Sequence, residues 1–369
     1  PYQESSSIIS GSEVLKSSNK TTYNGNYGLN AQWTVYNGSK RLKTIEQEKL
    51  NNRVADLDVA TSENDIEQSI AQVYIQILYA AESVKVNENT LQVSEAQRDR
   101  GKQLLDAGSI ARSDYAQLEA QVSTDRYQLV TAQATLQDYK LQLKQLLELD
   151  GEQEMQVYLP ALGDENVLSP LPTKTDVFRS AVALRPEIEA SKLSVEASEL
   201  GIGIAKSGYL PSVSLTAGIG TNHTSGSDFT FGEQVKNGWN NSIGLSISVP
   251  IFNNRQTKSA VEKAKLQYQT SQLTLLDEQK TLYKTIEGLW LDANSAQQRY
   301  AAAIEKLHST QTSYELVSEQ FNAGMKNTVE LLTEKNNLLQ AQQELLQSKY
   351  MAILNAQLLK FYQGDKITL

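Results

Sequence analysis

The chain has 369 residues, a net charge of −9 and no cysteine, and its two histidines, His223 and His308, lie far apart. Without cysteine there are no disulfides or thiolate-bound metals, and the separated histidines argue against a metal centre or a Ser-His-Asp triad. The acidic balance argues against a nucleic-acid binder, and no apolar run reaches the roughly 18 residues of a transmembrane helix.

The first segment, residues 1–36, predicts a β-hairpin. The chain starts at Pro1 with neither an initiator methionine nor a signal peptide, so we expect a processed or trimmed product. Residues 27–36 alternate apolar and polar side chains, as a strand does. Residues 1 to about 10 alternate less regularly, and a polar loop over 11–26 joins the two strands.

Residues 37–150 predict a long helical hairpin. Glycine and proline are absent from residues 39–100 and 109–150, which are rich in good helix formers. At about 1.5 Å per residue the first stretch would extend about 90 Å. Gly108 lies between the two stretches, and glycine ends a helix readily because it tolerates the left-handed conformation.

The next segments predict an irregular stretch over 151–175, a helix over 176–210 and a second β-hairpin over 211–252. The strand at 241–252 alternates strictly, with serine and glycine between its apolar residues, which are Ile243, Leu245, Ile247 and Val249. About ten residues with one apolar face and one small polar face are typical of a membrane β-barrel, although the edge of a soluble β-sandwich is an alternative. A polar loop over 221–240 joins this strand to the one at 211–220.

Four strands per chain cannot close a barrel. In hydrocarbon an open strand edge leaves backbone groups unpaired, so several chains would have to share one barrel. Three chains would supply twelve strands, within the roughly 8 to 26 known for such barrels.

Residues 253–369 predict a second helical hairpin that repeats the first at an offset of 216 residues. The offset places Gly108 on Gly324, Asp114 on Glu330, and Tyr36 on Phe252, and it holds from about residue 36 to about residue 145. Two unrelated coiled coils would not share these positions, so we interpret the offset as a duplication.

The coiled-coil spacing has one irregularity. Apolar residues from Leu118 to Leu146 follow alternating steps of four and three, with Asp125 as the only polar residue among them.

Four features together resemble the TolC-like outer membrane efflux family. They are the passage at 183–218 with its Arg-Pro-Glu and Tyr-Leu-Pro, the returns "VPIFNNR" at 249–255 and "WTVYNGSKR" at 33–41, the hairpin tips, and the duplication itself. The resemblance covers essentially the whole chain. The family also carries a helix and lead-in segment before the first strand, and we expect this segment in the native protein.

The resemblance implies a mixed, mainly α fold. Three chains would form a 12-stranded transmembrane β-barrel in the bacterial outer membrane, four strands from each, continued by a long α-helical coiled-coil barrel of about 100 Å into the periplasm. The homotrimer would contact outer membrane lipid and dock to a periplasmic adaptor protein and an inner-membrane pump. It would be a passive conduit without cofactors or enzymatic activity.

The resemblance also implies a gate at the tips of the hairpins. Glu330 matches an acid that forms a ring in the aperture, whereas Thr333 stands where some relatives have a second acid. Asp114 and Lys326 match an acid and a base that pair across hairpins, and Phe321 matches an aromatic residue of the same latch. The tip residues expected to dock the adaptor are Gly108, Ser109, Gly324 and Met325. Alternatively, these charged residues have no role in a gate and are simply solvated at the tips.

Two other classes of protein are alternatives. A structural periplasmic coiled-coil protein would explain the heptads but not the alternating strands. A soluble enzyme lacks support, because the chain has no phosphate-binding loop, metal-ligand spacing or nucleophile motif.

Overall fold

The computed structural model describes residues 22–150, 155–160, 163 and 167–367. The chain divides into two compact units. One comprises the chain up to Asn52 together with Leu193–Gln272, and the other comprises Arg53–Lys192 together with the chain from Leu273 onward.

The strands belong to the first unit. β1 (Asn24–Asn37), β2 (Ser212–Thr224) and β3 (Asn240–Ser248) form an antiparallel sheet in that order. The register puts Trp33 opposite Leu215 and Leu215 opposite Leu245, so apolar side chains of all three strands share one face. The strand expected over residues 1 to about 10 lies outside the described residues.

A short helix interrupts the loop between β2 and β3. It is α5 (Phe231–Asn237), which we did not expect, and it begins with a capping box between Thr230 and Glu233. The Thr221 hydroxyl donates a hydrogen bond to the Val235 carbonyl at 2.8 Å, which holds α5 against β2.

The long helices reproduce the duplication residue by residue. In the first repeat they are α1 (Lys40–Asp106) and α2 (Arg112–Leu146), and in the second they are α6 (Gln256–Asn322) and α7 (Thr328–Tyr362). Adding 216 to every bound of the first pair gives the bounds of the second. The predicted duplication is confirmed.

The passage from strand to helix is also duplicated in backbone conformation. Gly38 and Ser39 have φ angles of 66° and 63°, and their counterparts Asn254 and Arg255 have φ angles of 48° and 61°. Two consecutive left-handed residues are costly for side chains other than glycine. Their presence at both passages indicates that the change in chain direction requires them.

The stretch expected as one helix over 176–210 contains two helices and a 3-10 turn. The helices are α3 (Lys174–Leu184) and α4 (Pro186–Lys206), and Arg185 between them is extended, with a ψ angle of 127°. The break follows from Pro186, because proline disfavours the helical conformation of the residue before it.

The core of the second unit forms where α3 and α4 pack on α6 and α7. Its buried members include Val177, Ile188, Ile286 and Leu359. The irregular residues before α3 lie along α6, since the indole of Trp290 donates to the Pro172 carbonyl at 3.0 Å. None of the described helices combines the length and the apolarity required to cross a membrane.

Candidate functional site at the helical tips

Each hairpin turns at a glycine in the left-handed conformation. The φ angles of Gly108 and Gly324 are 71° and 75°. In each turn the glycine N–H and the next N–H donate to carbonyls of the last helical turn, at 2.8–2.9 Å. This arrangement caps the ends of α1 and α6. Ser109 and Met325 follow the glycines and are exposed, so both tips present small or flexible side chains to solvent.

The start of α7 carries a compact charged cluster. Asn327 caps the helix by accepting from the Glu330 N–H at 2.9 Å, and the Glu330 carboxylate accepts from the Asn327 N–H at 3.2 Å. The Lys326 ammonium lies 2.5 Å from the same carboxylate. The hydrogen bond from Lys326, followed by that from Asn327, lowers the pKa of Glu330. Glu330 is therefore ionised and paired within its own chain.

The start of α2 resembles the start of α7 in backbone conformation, but its cap is weaker. The Asp114 carboxylate accepts from the Ala111 N–H at 3.3 Å, as Glu330 does in the other repeat. Ala111 has no side-chain oxygen, so the reciprocal hydrogen bond that Asn327 provides has no counterpart.

We expect Ala111→Asn to stabilise the first turn of α2 by about 1 kcal/mol, because it restores the missing cap. Hydrogen exchange of the amides at residues 112–115 should slow about fivefold. The matched control is Asn327→Ala, which should speed exchange at the start of α7 by a similar factor. Equal exchange in wild type and Ala111→Asn would contradict the prediction.

The other predicted gate residues have defined positions. Within the chain, Lys326 has Glu330 as its carboxylate partner, whereas Asp114 is occupied at the Ala111 cap. The pairing of Asp114 with Lys326 across hairpins stays a prediction. Thr333 is exposed, and its hydroxyl donates to the Val329 carbonyl at 2.8 Å.

Phe321 occupies an interior position rather than the surface of the tip. Its side chain is 3% exposed, and it lines a cleft together with Val93, Tyr314 and Leu331. The ring therefore lies between helices of both hairpins. Its part in a latch stays a prediction.

Sequence reasoning missed a buried ionic cluster above the tips. Lys335 of α7 donates to the Asp125 carboxylate of α2 and to the hydroxyl of Ser94 of α1, and Ser94 donates to the same carboxylate. Burial is the main cause that lowers the pKa of Lys335, and Asp125 opposes that shift. The irregularity at Asp125 in the heptad was the available signal, but nothing in the sequence pointed to its partner.

The described residues contain no group of three or more His, Cys, Asp or Glu side chains placed to hold a metal ion. The described part of the tips is therefore a set of caps, charges and small side chains.

The chain is similar to known outer membrane proteins. The family model described as outer membrane efflux protein matches residues 3–148 and 177–364. Outer membrane protein TolC of Escherichia coli K12 is 25% identical over 335 residues, which are 87% of this chain and 66% of TolC. The chain thus spans slightly less than two thirds of the length of that relative.

Two solved structures resemble the fold closely. The CusC structure matches with a TM-score of 0.80 at 20% identity, covering 95% of this chain and 80% of that chain. The structure of VceC from Vibrio cholerae matches with a TM-score of 0.77 at 18% identity, covering 98% and 85%. These likenesses confirm the expected fold class, a mainly α-helical chain with antiparallel strands and two internal repeats.

Proposed function

The chain belongs to the family of outer membrane efflux proteins, as its residues indicated, and from this premise we propose that it is a passive exit duct in the bacterial outer membrane. Three copies share a 12-stranded barrel, and their helices continue it into the periplasm. The duct exports small molecules such as drugs and toxic compounds, or proteins, as part of a tripartite efflux or type I secretion system. The protein has no chemistry of its own.

The observation that carries this proposal is the apolar face of the sheet. Ile243 of β3 is 84% exposed, and Leu245 and Ile247 of the same strand are exposed as well, as is Val249 just after it. Among the described residues, β1 and β3 each have one edge without a partner strand. Additional strands from further copies would satisfy those edges, and lipid would cover the apolar face.

The tips support a gate and a docking surface. A ring of three Glu330 carboxylates in an aperture would attract cations and repel anions. In each copy Lys326 neutralises part of that charge. The tip residues Gly108, Ser109, Gly324 and Met325 are exposed. They would allow the tips of an adaptor's helices to approach. The adaptor would link the duct to an inner-membrane pump.

The alternative is a structural periplasmic coiled-coil protein without a pore. The test is to purify the protein in detergent, measure its mass and migration before and after heating, and record conductance in planar bilayers. We expect a heat-sensitive trimer that forms discrete channels. A single self-contained subunit without conductance would contradict the duct and favour the alternative.

We expect Lys326→Gln to strengthen block by a trivalent cation several-fold at neutral pH, because Glu330 loses its partner. The same change should move the pH dependence of block. Lys326 lowers the pKa of Glu330, so the ionised ring is present above that pKa and is lost as the pH falls through it. Without Lys326 the pKa rises, and block should disappear at a higher pH than in wild type.

Bilayer recordings between about pH 3 and 7 would measure this shift. The control is Glu330→Gln, which should weaken block at every pH. The same midpoint in wild type and Lys326→Gln would show that Lys326 does not govern the ring.

A further inference from the structure

The short helix α5 lies against the apolar face of the sheet. Alternate residues of a strand share one face, so the side chains of Thr221 and His223 lie on the same face of β2 as Leu215. The rings of Phe231 and His223 pack edge-to-face, with centroids 5.0 Å apart. Four residues further along α5, the Val235 carbonyl accepts a hydrogen bond from the Thr221 hydroxyl at 2.8 Å. The helix therefore runs back along β2 on its apolar side.

The strand that carries α5 has neighbours on both sides within its own chain. β2 is the central strand of the described sheet, between β1 and β3. On β1, Tyr27 is opposite Thr221 in the register, and its ring packs against that of Phe231 with centroids 6.3 Å apart. The placement of α5 against the sheet thus needs no neighbouring copy.

The contact lies at the end of the apolar face that is farthest from α4. β2 follows α4 in the chain, and His223 is near the far end of the strand. Val213 and His223 are ten residues apart, which corresponds to about 33 Å along the strand. For strands tilted by about 40°, this is about 25 Å along the membrane normal, the usual height of the apolar band of a membrane barrel. With Val213 at the periplasmic boundary of that band, His223 and α5 reach its outer boundary.

Aromatic side chains around this contact remain exposed. Phe231 and Tyr27 are 55% and 53% exposed even though their rings touch, and Tyr23, Phe229 and Trp239 are exposed as well. Aromatic side chains concentrate where acyl chains meet headgroups, because the ring is apolar and its polar atoms can reach water. The outer end of the apolar face therefore has the composition of a membrane interface.

The two sides of α5 differ in polarity. Phe231 and Val235 are four residues apart and share the side that faces β2, whereas Glu233 and Lys236 lie on the other side and are exposed. Both ends of the helix have hydrogen-bond partners within the chain, since Thr230 and Glu233 form the capping box and the Val235 carbonyl is bonded to β2. A helix with one apolar side, one charged side and satisfied ends suits the headgroup region of a membrane.

We propose that α5 anchors the outer rim of the barrel in the outer leaflet of the membrane. The charged side of the helix lies among lipid headgroups, and the rings of Tyr27 and Phe231 lie just below, where the acyl chains begin. The lipid that covers the apolar face of the sheet continues over these rings. The inference rests on the proposed duct, which supplies the orientation of the sheet.

Single-tryptophan variants locate these rings relative to lipid. In the full-length protein Trp33, Trp239 and Trp290 are replaced by phenylalanine, which leaves no other tryptophan. One reporter is then added, either Phe231→Trp or the more conservative Tyr27→Trp. Each variant is reconstituted into phosphatidylcholine vesicles whose acyl chains carry bromine, a quencher of tryptophan fluorescence, near the glycerol end or near the methyl end.

Two further reporters serve as matched controls. Ile243→Trp lies in the middle of the apolar face of β3, and Asn26→Trp lies at the level of Tyr27 but on the polar face. Heat-sensitive migration as a trimer shows that each variant is folded.

Bromine near the glycerol end should quench Phe231→Trp and Tyr27→Trp at least about twofold more than bromine near the methyl end, because these rings lie at the level of the headgroups. Ile243→Trp should show the opposite order. Asn26→Trp should be quenched by neither lipid, since it faces the polar interior of the barrel.

The anchor is overturned if Ile243→Trp is quenched while both rim reporters escape quenching. An emission maximum at long wavelength would then place α5 in water, and one at short wavelength would show that another segment or another copy covers the rings. Failure of the proposed duct gives a different result, in which Ile243→Trp escapes quenching as well.

Discussion

Replacing Phe321 by alanine is expected to destabilise the tip end of the helical hairpins by about 3–5 kcal/mol, the usual cost of removing a buried aromatic side chain. The ring is buried in the cleft with Val93 and Leu331, so its removal leaves a cavity between the hairpins. Amide exchange at 315–322 and 328–334 should accelerate by a factor of roughly 100 or more, since about 1.4 kcal/mol corresponds to tenfold.

The duplication provides a matched control for Phe321. Its counterpart is Leu105, which is only partly buried, so Leu105→Ala should cost clearly less. Phe321→Leu should recover most of the loss, because leucine fills much of the same volume. Similar exchange in Phe321→Ala and wild type would mean that the ring is not part of the packing.

Phe321→Ala is also one of the three changes that test the latch implied by the family resemblance. Exchanging Asp114, Lys326 and Phe321 together for alanine should raise single-channel conductance in planar bilayers by loosening the closed end. Comparison with Phe321→Leu separates the two roles of the ring. If packing is its main role, Phe321→Leu should conduct as wild type does. Unchanged conductance in the triple variant would exclude the latch.

Lys335→Met is expected to cost about 3–5 kcal/mol, because it leaves the Asp125 carboxylate buried without a cation. Hydrogen exchange of α7 around residues 331–339, followed by mass spectrometry, should show the loss as protection reduced about 100-fold or more. Adding Asp125→Leu should restore most of the protection, since the second change removes the stranded charge. The two effects are therefore not additive.

An exposed ion pair provides the comparison for Lys335. The side chains of Lys306 and Glu344 are 42% and 41% exposed. Because solvent screens such pairs, Lys306→Met should cost no more than about 1 kcal/mol. Equal exchange in the Lys335→Met and Lys306→Met proteins would contradict the energetic importance of the buried cluster.

Several structural features that were not predicted had local signals in the sequence. The capping box of Thr230 and Glu233 marks the start of α5, and Pro186 marks the break between α3 and α4. Both lie in segments that we interpreted by their overall character, as a polar loop and as one helix. Cap and proline signals depend on neighbours a few residues away, so residues 230–233 and 185–186 contain the information for both features.

The placement of the site residues had no such signal. Glu330 could be assigned to the tip, but its ion pair with Lys326 depends on how the turn orients the two side chains. Phe321 lies three residues before the tip glycine, where either an exposed or a buried side chain fits the pattern. Only the neighbouring helices decide between them.

By itself, the sequence determined the three described strands, the long helices, the turns at Gly108 and Gly324, and the duplication. These depend on periodicity and on backbone preferences that act over a few residues. Only the tertiary structure decided which side chains are buried and which charges meet. Asp125 and Lys335 are 210 residues apart, and their partnership exists because α2 and α7 pack side by side in water-excluded surroundings. Such burial depends on all the helices around a position, and no pattern within one helix contains that information.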